Sequence, residues 1–236
     1  MSNSACLGYP RIGRNRELKT ALEKYWTGKI TLENLQDKAK VLRLEHWQVQ
    51  ADSGIQIIPS NDFSLYDQML DTAVMVGAVP ERDGWAGGMV STASYFAMAR
   101  GADGEACACG HRWQGGVPAL EMTKWFDTNY HYIVPEFHAG QTFRLASTQA
   151  VDQFLEAQEA GVHTRPVLLG PVSFLLLGKA VTPGLDRLSL LPALLPVYVD
   201  LLMQLRLAGA DWVQMDEPCL VLDLDDAARA AYAACY

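Results

Sequence analysis

The 236-residue sequence predicts an α/β protein of the β/α-barrel type. Three observations predict it. Short apolar runs alternate with longer segments of helical periodicity, the order that builds parallel β/α units. Four of the runs end in polar or turn-rich loops, "PRIGRN", "PSNDFS", "GPVS" and "DEP", where β/α barrels carry ligand-binding residues. The length and the 50% hydrophobic composition suffice for one substantial core, and such barrels commonly occupy about 250 residues.

The first strand is expected at residues 5–9, "ACLGY", with a turn at Pro10 and Gly13 and a helix over residues 15–26. Thr31 is a good N-cap for a helix running to Asp52, which sets Leu32, Leu35, Ala39, Leu42 and His46 at helical spacing; Gly54 fits its C-terminal cap. "IQIIP", residues 55–59, is the second strand, and Asn61 or Asp62 can cap the helix after it. The third strand falls within residues 120–126 and the fourth at residues 142–146, "TFRLA". Residues 148–160 read as a helix with Val151, Phe154 and Leu155 on one face and Gly161 after it. "PVLLG", residues 166–170, is a continuous apolar fifth strand, as expected where both faces are covered.

A leucine-rich helix follows over residues 189–207, where Pro196 argues for a kink or a later start, and Gly209 ends it. "DWVQM", residues 211–215, is the sixth strand, before the helix-like tail "DDAARAAYAACY". A closed (β/α)8 TIM-type barrel needs about eight strands. The expectation is therefore an incomplete barrel over residues 1–236, truncated after about six strands and exposing two edges.

The formal net charge of −8 makes the chain a poor candidate for a broad nucleic-acid interface. No apolar run approaches the roughly 18 residues of a membrane span, and the N-terminus lacks the apolar core of a signal peptide. Five cysteines without framework spacing agree with a reducing compartment. The expectation is a soluble cytoplasmic protein with no nucleic-acid or membrane partner. Cys107, Cys109 and His111 in "CACGH" offer too few ligands for an ordinary zinc site; the plainer reading is a mobile Gly-rich loop. The sequence contains no standard phosphate loop, no G-x-S-x-G and no H-E-x-x-H.

Three constellations could carry chemistry. "RIGRNRELK" gathers Arg11, Arg14, Arg16 and Lys19 at the end of the first strand, a pattern suited to a multiply anionic ligand or to a solvated helix face. "EMTKWFDTNYHYIVPEF" sets Lys124 beside Trp125, with aromatic residues that serve either a partly buried anionic ligand or the core, where His131 would be a structural histidine. "MDEP" places Asp216 and Glu217 after a strand, for acid–base work or for turn and cap duties. Adjacent residues of an extended chain point oppositely, so at most one of the two carboxylates faces a given site.

On these residues the chain resembles the cobalamin-independent methionine synthase family. The motifs "LGYPRIGRNRELKTALEKYW", "IIPSNDFSLYDQML", "EMTKWFDTNYHYIVPEF", "PVLLGPVSFLLLGK" and "DWVQMDEPCLVL" carry the resemblance over residues 7–224, and it is to the N-terminal half. The resemblance implies two β/α barrels with the active site between them, and methyl transfer from 5-methyltetrahydropteroyltri-L-glutamate to L-homocysteine without cobalamin. It implies a zinc ion held by the C-terminal barrel, whose ligands and proton donor lie outside these residues, so that this chain alone is expected to be inactive. Carried over by motif, Arg16, Glu17, Leu18 and Lys19 match the folate-contacting "RELK", and Lys124 matches a second folate contact. No catalytic residue and no metal ligand is expected here. The loop holding Cys107, Cys109 and His111 looks longer than the family's connection and inherits no role. A different expectation is a non-catalytic folate-binding or scaffold module derived from such an enzyme.

Overall fold

A computed structural model describes residues 3–104, 113 and 115–236; Cys107, Cys109 and His111 lie outside them. In chain order the elements are α1 (Glu17–Trp26), α2 (Leu32–Asp52), β1 (Ile58–Ser60), α3 (Gln68–Met75), α4 (Thr92–Arg100), β2 (Met122–Lys124), β3 (His131–Ile133) and β4 (Glu136–Phe137). They continue with α5 (Gln149–Glu159), β5 (Thr164–Leu169), α6 (Pro171–Leu177), β6 (Lys179–Ala180), α7 (Leu191–Leu207), β7 (Gln214–Asp216) and α8 (Asp226–Cys235).

The sheet that organises the chain is parallel, in the order β1-β5-β7, with Ile58 opposite Thr164 and Leu168 opposite Met215. The fold is thus α/β with parallel strands. Ala5 bridges Ile57 in parallel, so the expected first strand is reduced to one rung beside β1. The expected third strand does not join this sheet. Its residues form an antiparallel hairpin, β2 with β3, in which Lys124 faces His131. The hairpin reverses at Phe126, whose φ of 49° is left-handed. The expected fourth strand is absent, because the residue 142–146 backbone is satisfied elsewhere: Arg144 N–H donates to Val76 O and Ala146 N–H to Met75 O. The parallel sheet accordingly has three strands where six were expected.

The helices follow local chemistry. Thr31 Oγ1 accepts from Asn34 N–H at 3.2 Å and Asn34 Oδ1 accepts from Thr31 N–H at 3.4 Å, a capping box that starts α2. Neither Asn61 nor Asp62 caps α3. Asp67 does, by accepting from Leu70 N–H at 3.1 Å. On α5 the buried face is Ala150, Gln153, Phe154 and Ala157, and Leu155 is exposed. Pro196 lies inside α7, which starts at Leu191 after a 3-10 turn, later than the sequence pattern suggested.

Contrary to the reading of the sequence, the continuous segment Arg187–Leu207 is long and apolar enough to cross a membrane by length and composition. Its Leu191, Leu194, Val197, Tyr198, Leu201 and Leu205 are buried in the larger core, as in a soluble-protein core helix. That core centres on Phe137, Phe154 and Phe174; a second, built from α1, α2 and α4, packs around Leu18, Leu35 and Phe96. Both α3 and β3 stand between the two, sending Met69, Ala73 and Tyr132 into the first and Leu70, Val74 and Ile133 into the second.

Glu217 at the end of β7 fixes α6. Its carboxylate accepts from Val172 N–H at 3.2 Å and Ser173 N–H at 2.7 Å, and Tyr236 OH donates to it at 3.0 Å. This is a capping duty, favoured by the helix N-terminus. A Cβ at Gly170 would overlap the Glu217 carboxyl group. Gly170→Ala is therefore expected to destabilise the chain by about 2 kcal/mol, the scale of overpacking a filled site, read from chemical denaturation.

Candidate functional site

Two concave regions stand at the polar loops. The first lies at the C-terminal ends of the parallel strands. It is a cavity of about 320 Å³ whose walls include Tyr9, Asn61, Asp62, Asp71, Gln149 and Asp216. Asp62 accepts from Tyr9 N–H at 2.7 Å, which ties the "GYP" turn to the end of β1. Asp71 accepts from Tyr95 OH at 2.6 Å and from Gln149 Nε2 at 3.2 Å. Burial pushes both carboxyls up to about 6, against the pull of these donors. Burial also raises Asp216.

These shifts fix a pH dependence of stability. The folded chain holds these protons more tightly than the unfolded chain, where the ordinary value is 3.8. The resulting stabilisation is fully present below 3.8 and is lost as pH rises through about 6. Asp62→Asn keeps an acceptor for Tyr9 N–H and cannot ionise. It is expected to flatten the decline in denaturation midpoint between about pH 4.5 and about pH 7.

The second region is a groove of about 290 Å³ between α1 and the β2–β3 hairpin. Its floor is apolar, with Ile12, Leu22, Trp26, Leu65 and Met122; Arg11, Lys19, Glu23, Tyr130 and His131 also line it. Arg11 is spent on structure, because its guanidinium donates to the carbonyls of Ser64, Leu65 and Tyr66 at 3.1, 3.2 and 2.5 Å. Lys19 is exposed and its Nζ lies 3.6 Å from Glu23 one turn on, a pair that solvent weakens.

The structure divides the four "RELK" residues by role. Leu18 is fully buried in the second core. Glu17 turns back on the chain, accepting from Asn15 N–H at 2.9 Å and from Asn15 Nδ2 at 3.0 Å. Its carboxyl is held below the ordinary range by backbone hydrogen bonds from its own N–H and from Asn15. Arg16 stands at the N-cap of α1 with a left-handed φ of 63°. Glu17 and Leu18 thus hold the turn, while Arg16 and Lys19 present charge.

Lys124 is exposed on β2, across the ladder from His131 and two residues from Met122. It is not itself a wall of the groove. The structure therefore brings Lys19 to the hairpin that carries Lys124, 105 residues later in the chain. Arg16, Asn61 and Phe126 are the positive-φ non-glycine residues among the described residues. They mark the start of α1, the strand-end cavity and the hairpin turn. Backbone strain of this kind gathers where a site must be held in place.

Sequence reasoning missed the residue that locks this arrangement. Asp67, 1% exposed, accepts from Leu70 N–H, from Ile133 N–H at 3.0 Å and from Tyr130 OH at 2.9 Å. One carboxylate thereby starts α3 and pins the hairpin. Burial raises its pKa against those hydrogen bonds. The available signal was an Asp directly before the apolar run of "DQML". The groove role of His131 and Tyr130 was also missed, since their approach to α1 is tertiary.

Among the described residues no group of three or more His, Cys, Asp or Glu side chains could hold a metal ion. The described part of the chain does not fit a zinc centre.

A family model described as "Cobalamin-independent synthase, N-terminal domain" matches residues 3–236. Relatives named 5-methyltetrahydropteroyltriglutamate--homocysteine methyltransferase include that of Nitrobacter winogradskyi, 59% identical over 239 residues, covering 98% of this chain and 31% of the relative. Those of Chelativorans sp. and Caulobacter vibrioides are each 61% identical over 233 residues, covering 98% and 96% of this chain and 30% of the relative. The chain thus spans about a third of the length of the curated relatives it matches. A solved structure from Listeria monocytogenes, assigned as a vitamin-B12 independent methionine synthase, aligns with a TM-score of 0.55 at 12% identity. It covers 100% of this chain and 61% of that one, a likeness of fold alone.

Proposed function

Because the chain belongs to the cobalamin-independent synthase N-terminal domain family, we propose that it is the folate-binding part of a methyltransferase that makes methionine. The methyl donor is 5-methyltetrahydropteroyltri-L-glutamate and the acceptor L-homocysteine, the substrates in the relatives' names. The methyl group passes directly to the homocysteine sulfur, with no cobalamin. The parallel sheet with its flanking helices is read as part of a β/α barrel that forms one domain of a longer, cytoplasmic enzyme.

The observation that carries this reading is the groove. An apolar floor with Lys19 on its wall, and with Lys124 on the strand that supplies Met122, suits an aminobenzoyl group continuing into several carboxylates. Arg16, Lys19 and Lys124 neutralise the glutamate tail, and Glu17 and Leu18 fix the turn that presents the first two. In a chain of net charge −8, such a local cationic patch selects for a polyanionic ligand.

Zinc bound elsewhere in the longer enzyme would supply a thiolate nucleophile from homocysteine, since coordination deprotonates a thiol near neutral pH. The part proposed for this chain is to bind and orient the methyl donor. The test is equilibrium titration with the triglutamate beside the monoglutamate. The expected result is tighter, salt-sensitive binding of the triglutamate. Equal affinity for the two would remove the assignment of these cations to the tail.

A further inference from the structure

The hairpin places a histidine in the same groove. His131 lines it opposite α1, and in the ladder the residue pairs with Lys124. Its Nδ1 lies 3.1 Å from Asn129 O. A carbonyl oxygen only accepts, so Nδ1 must carry the hydrogen. The polar atom left for a groove ligand is Nε2. In the neutral ring Nε2 is then a bare acceptor, which a carboxylate repels. It becomes a donor only in the imidazolium form, while Nδ1 keeps its bond to Asn129.

We propose that His131 is a further anion-binding group for the ligand tail, beside Arg16, Lys19 and Lys124, and that a tail carboxylate binds there together with a proton. The proposal rests on the folate-tail reading above and adds a residue and a proton to it. The balance is simple: the ring takes one proton from solvent, the carboxylate stays ionised, and an Nε2–H to carboxylate hydrogen bond forms.

The other charged and titratable groups around the ring do not supply this proton. They are Arg11 before α1, Lys19 and Glu23 on α1, Lys124 on β2, and the Tyr66 and Tyr130 hydroxyls. Arg11 is engaged by three carbonyls, and Glu23 pairs with Lys19. Tyr130 donates to Asp67, and burial raises its pKa far above the ordinary value. Of these residue types, histidine is the one whose charge ordinarily changes between roughly pH 5 and 8.

The experiment is calorimetric titration of the chain with 5-methyltetrahydropteroyltri-L-glutamate at two pH values, in buffers of different ionisation enthalpy. Wild type, His131→Gln, His131→Lys and Lys124→Ala are compared. The expected result is fractional proton uptake on binding, and affinity that rises as pH falls from about 8 to about 6. In His131→Gln both effects vanish and affinity at about pH 6 falls by about tenfold, the loss of one charge-assisted hydrogen bond. His131→Lys is expected to restore affinity with no pH dependence, which a merely structural histidine would not allow.

Proton uptake and pH dependence that persist in His131→Gln overturn the inference. So does wild-type binding without uptake. In either case a loss in Lys124→Ala leaves the folate-tail reading standing. Triglutamate binding indifferent to Lys124→Ala, or no binding by the folded chain, overturns both.

Discussion

Replacing Asp67 with alanine is expected to lower the stability of the chain by about 3 kcal/mol, the combined scale of a lost N-cap and of charge-assisted bonds in a buried site. The carboxylate is 1% exposed and accepts from Leu70 N–H, Ile133 N–H and Tyr130 OH. Truncation strands two backbone donors where water does not reach them, and that cost exceeds the worth of any one bond. Because α3 and β3 stand between the two cores, loosening them weakens both. Asp67→Asn keeps one acceptor oxygen and is expected to cost about half as much. Urea denaturation of the three proteins checks the order. An alanine variant as stable as wild type would show that the hairpin is held by packing alone.

The second large effect is on binding. Lys19→Ala and Lys124→Ala are each expected to weaken the triglutamate by about 1–3 kcal/mol, the scale of one charge-assisted contact. The monoglutamate, with fewer carboxylates to engage, is expected to lose less. Both lysines are exposed, so the losses shrink as salt rises. Both variants should fold as wild type does, since Lys19 offers only an exposed one-turn pair with Glu23. Equal losses for the two ligands would mean that the lysines do not read the tail.

The comparison of sequence with structure has a physical pattern. Elements that depend on their own residues were legible. Thr31 and Asn34 start α2 by a local exchange of hydrogen bonds, and the apolar run before Gly170 is the central strand β5. The tail read as helical is α8. Elements that depend on distant partners were not. Residues 142–146 have a strand-like composition, yet their N–H groups meet the end of α3 and no sheet edge. Residues 120–126 alternate as a barrel strand would, but the reversal at Phe126 folds them onto β3.

The same holds for the candidate site. The positions of the basic cluster and of Lys124 were legible, because charge in an acidic chain is conspicuous; their role toward a ligand is a proposal. Which charges are free was not. Arg11 looked equal to Arg16 and Lys19 until its guanidinium was found on three backbone carbonyls. Asp67 acts across 63 and 66 residues of chain, on Tyr130 and Ile133, and His131 lines a groove beside α1, the first helix of the chain. No local pattern reports that.

The central claim is that α1 and the hairpin together form an anion-reading groove for the folate tail. The most direct measurement is titration of the chain with 5-methyltetrahydropteroyltri-L-glutamate and with the monoglutamate, at low and high salt, for wild type and Lys124→Ala. The account predicts a preference for the triglutamate that fades with salt and falls in the variant. Equal affinities for the two ligands, unchanged by salt and by the loss of Lys124, would contradict it.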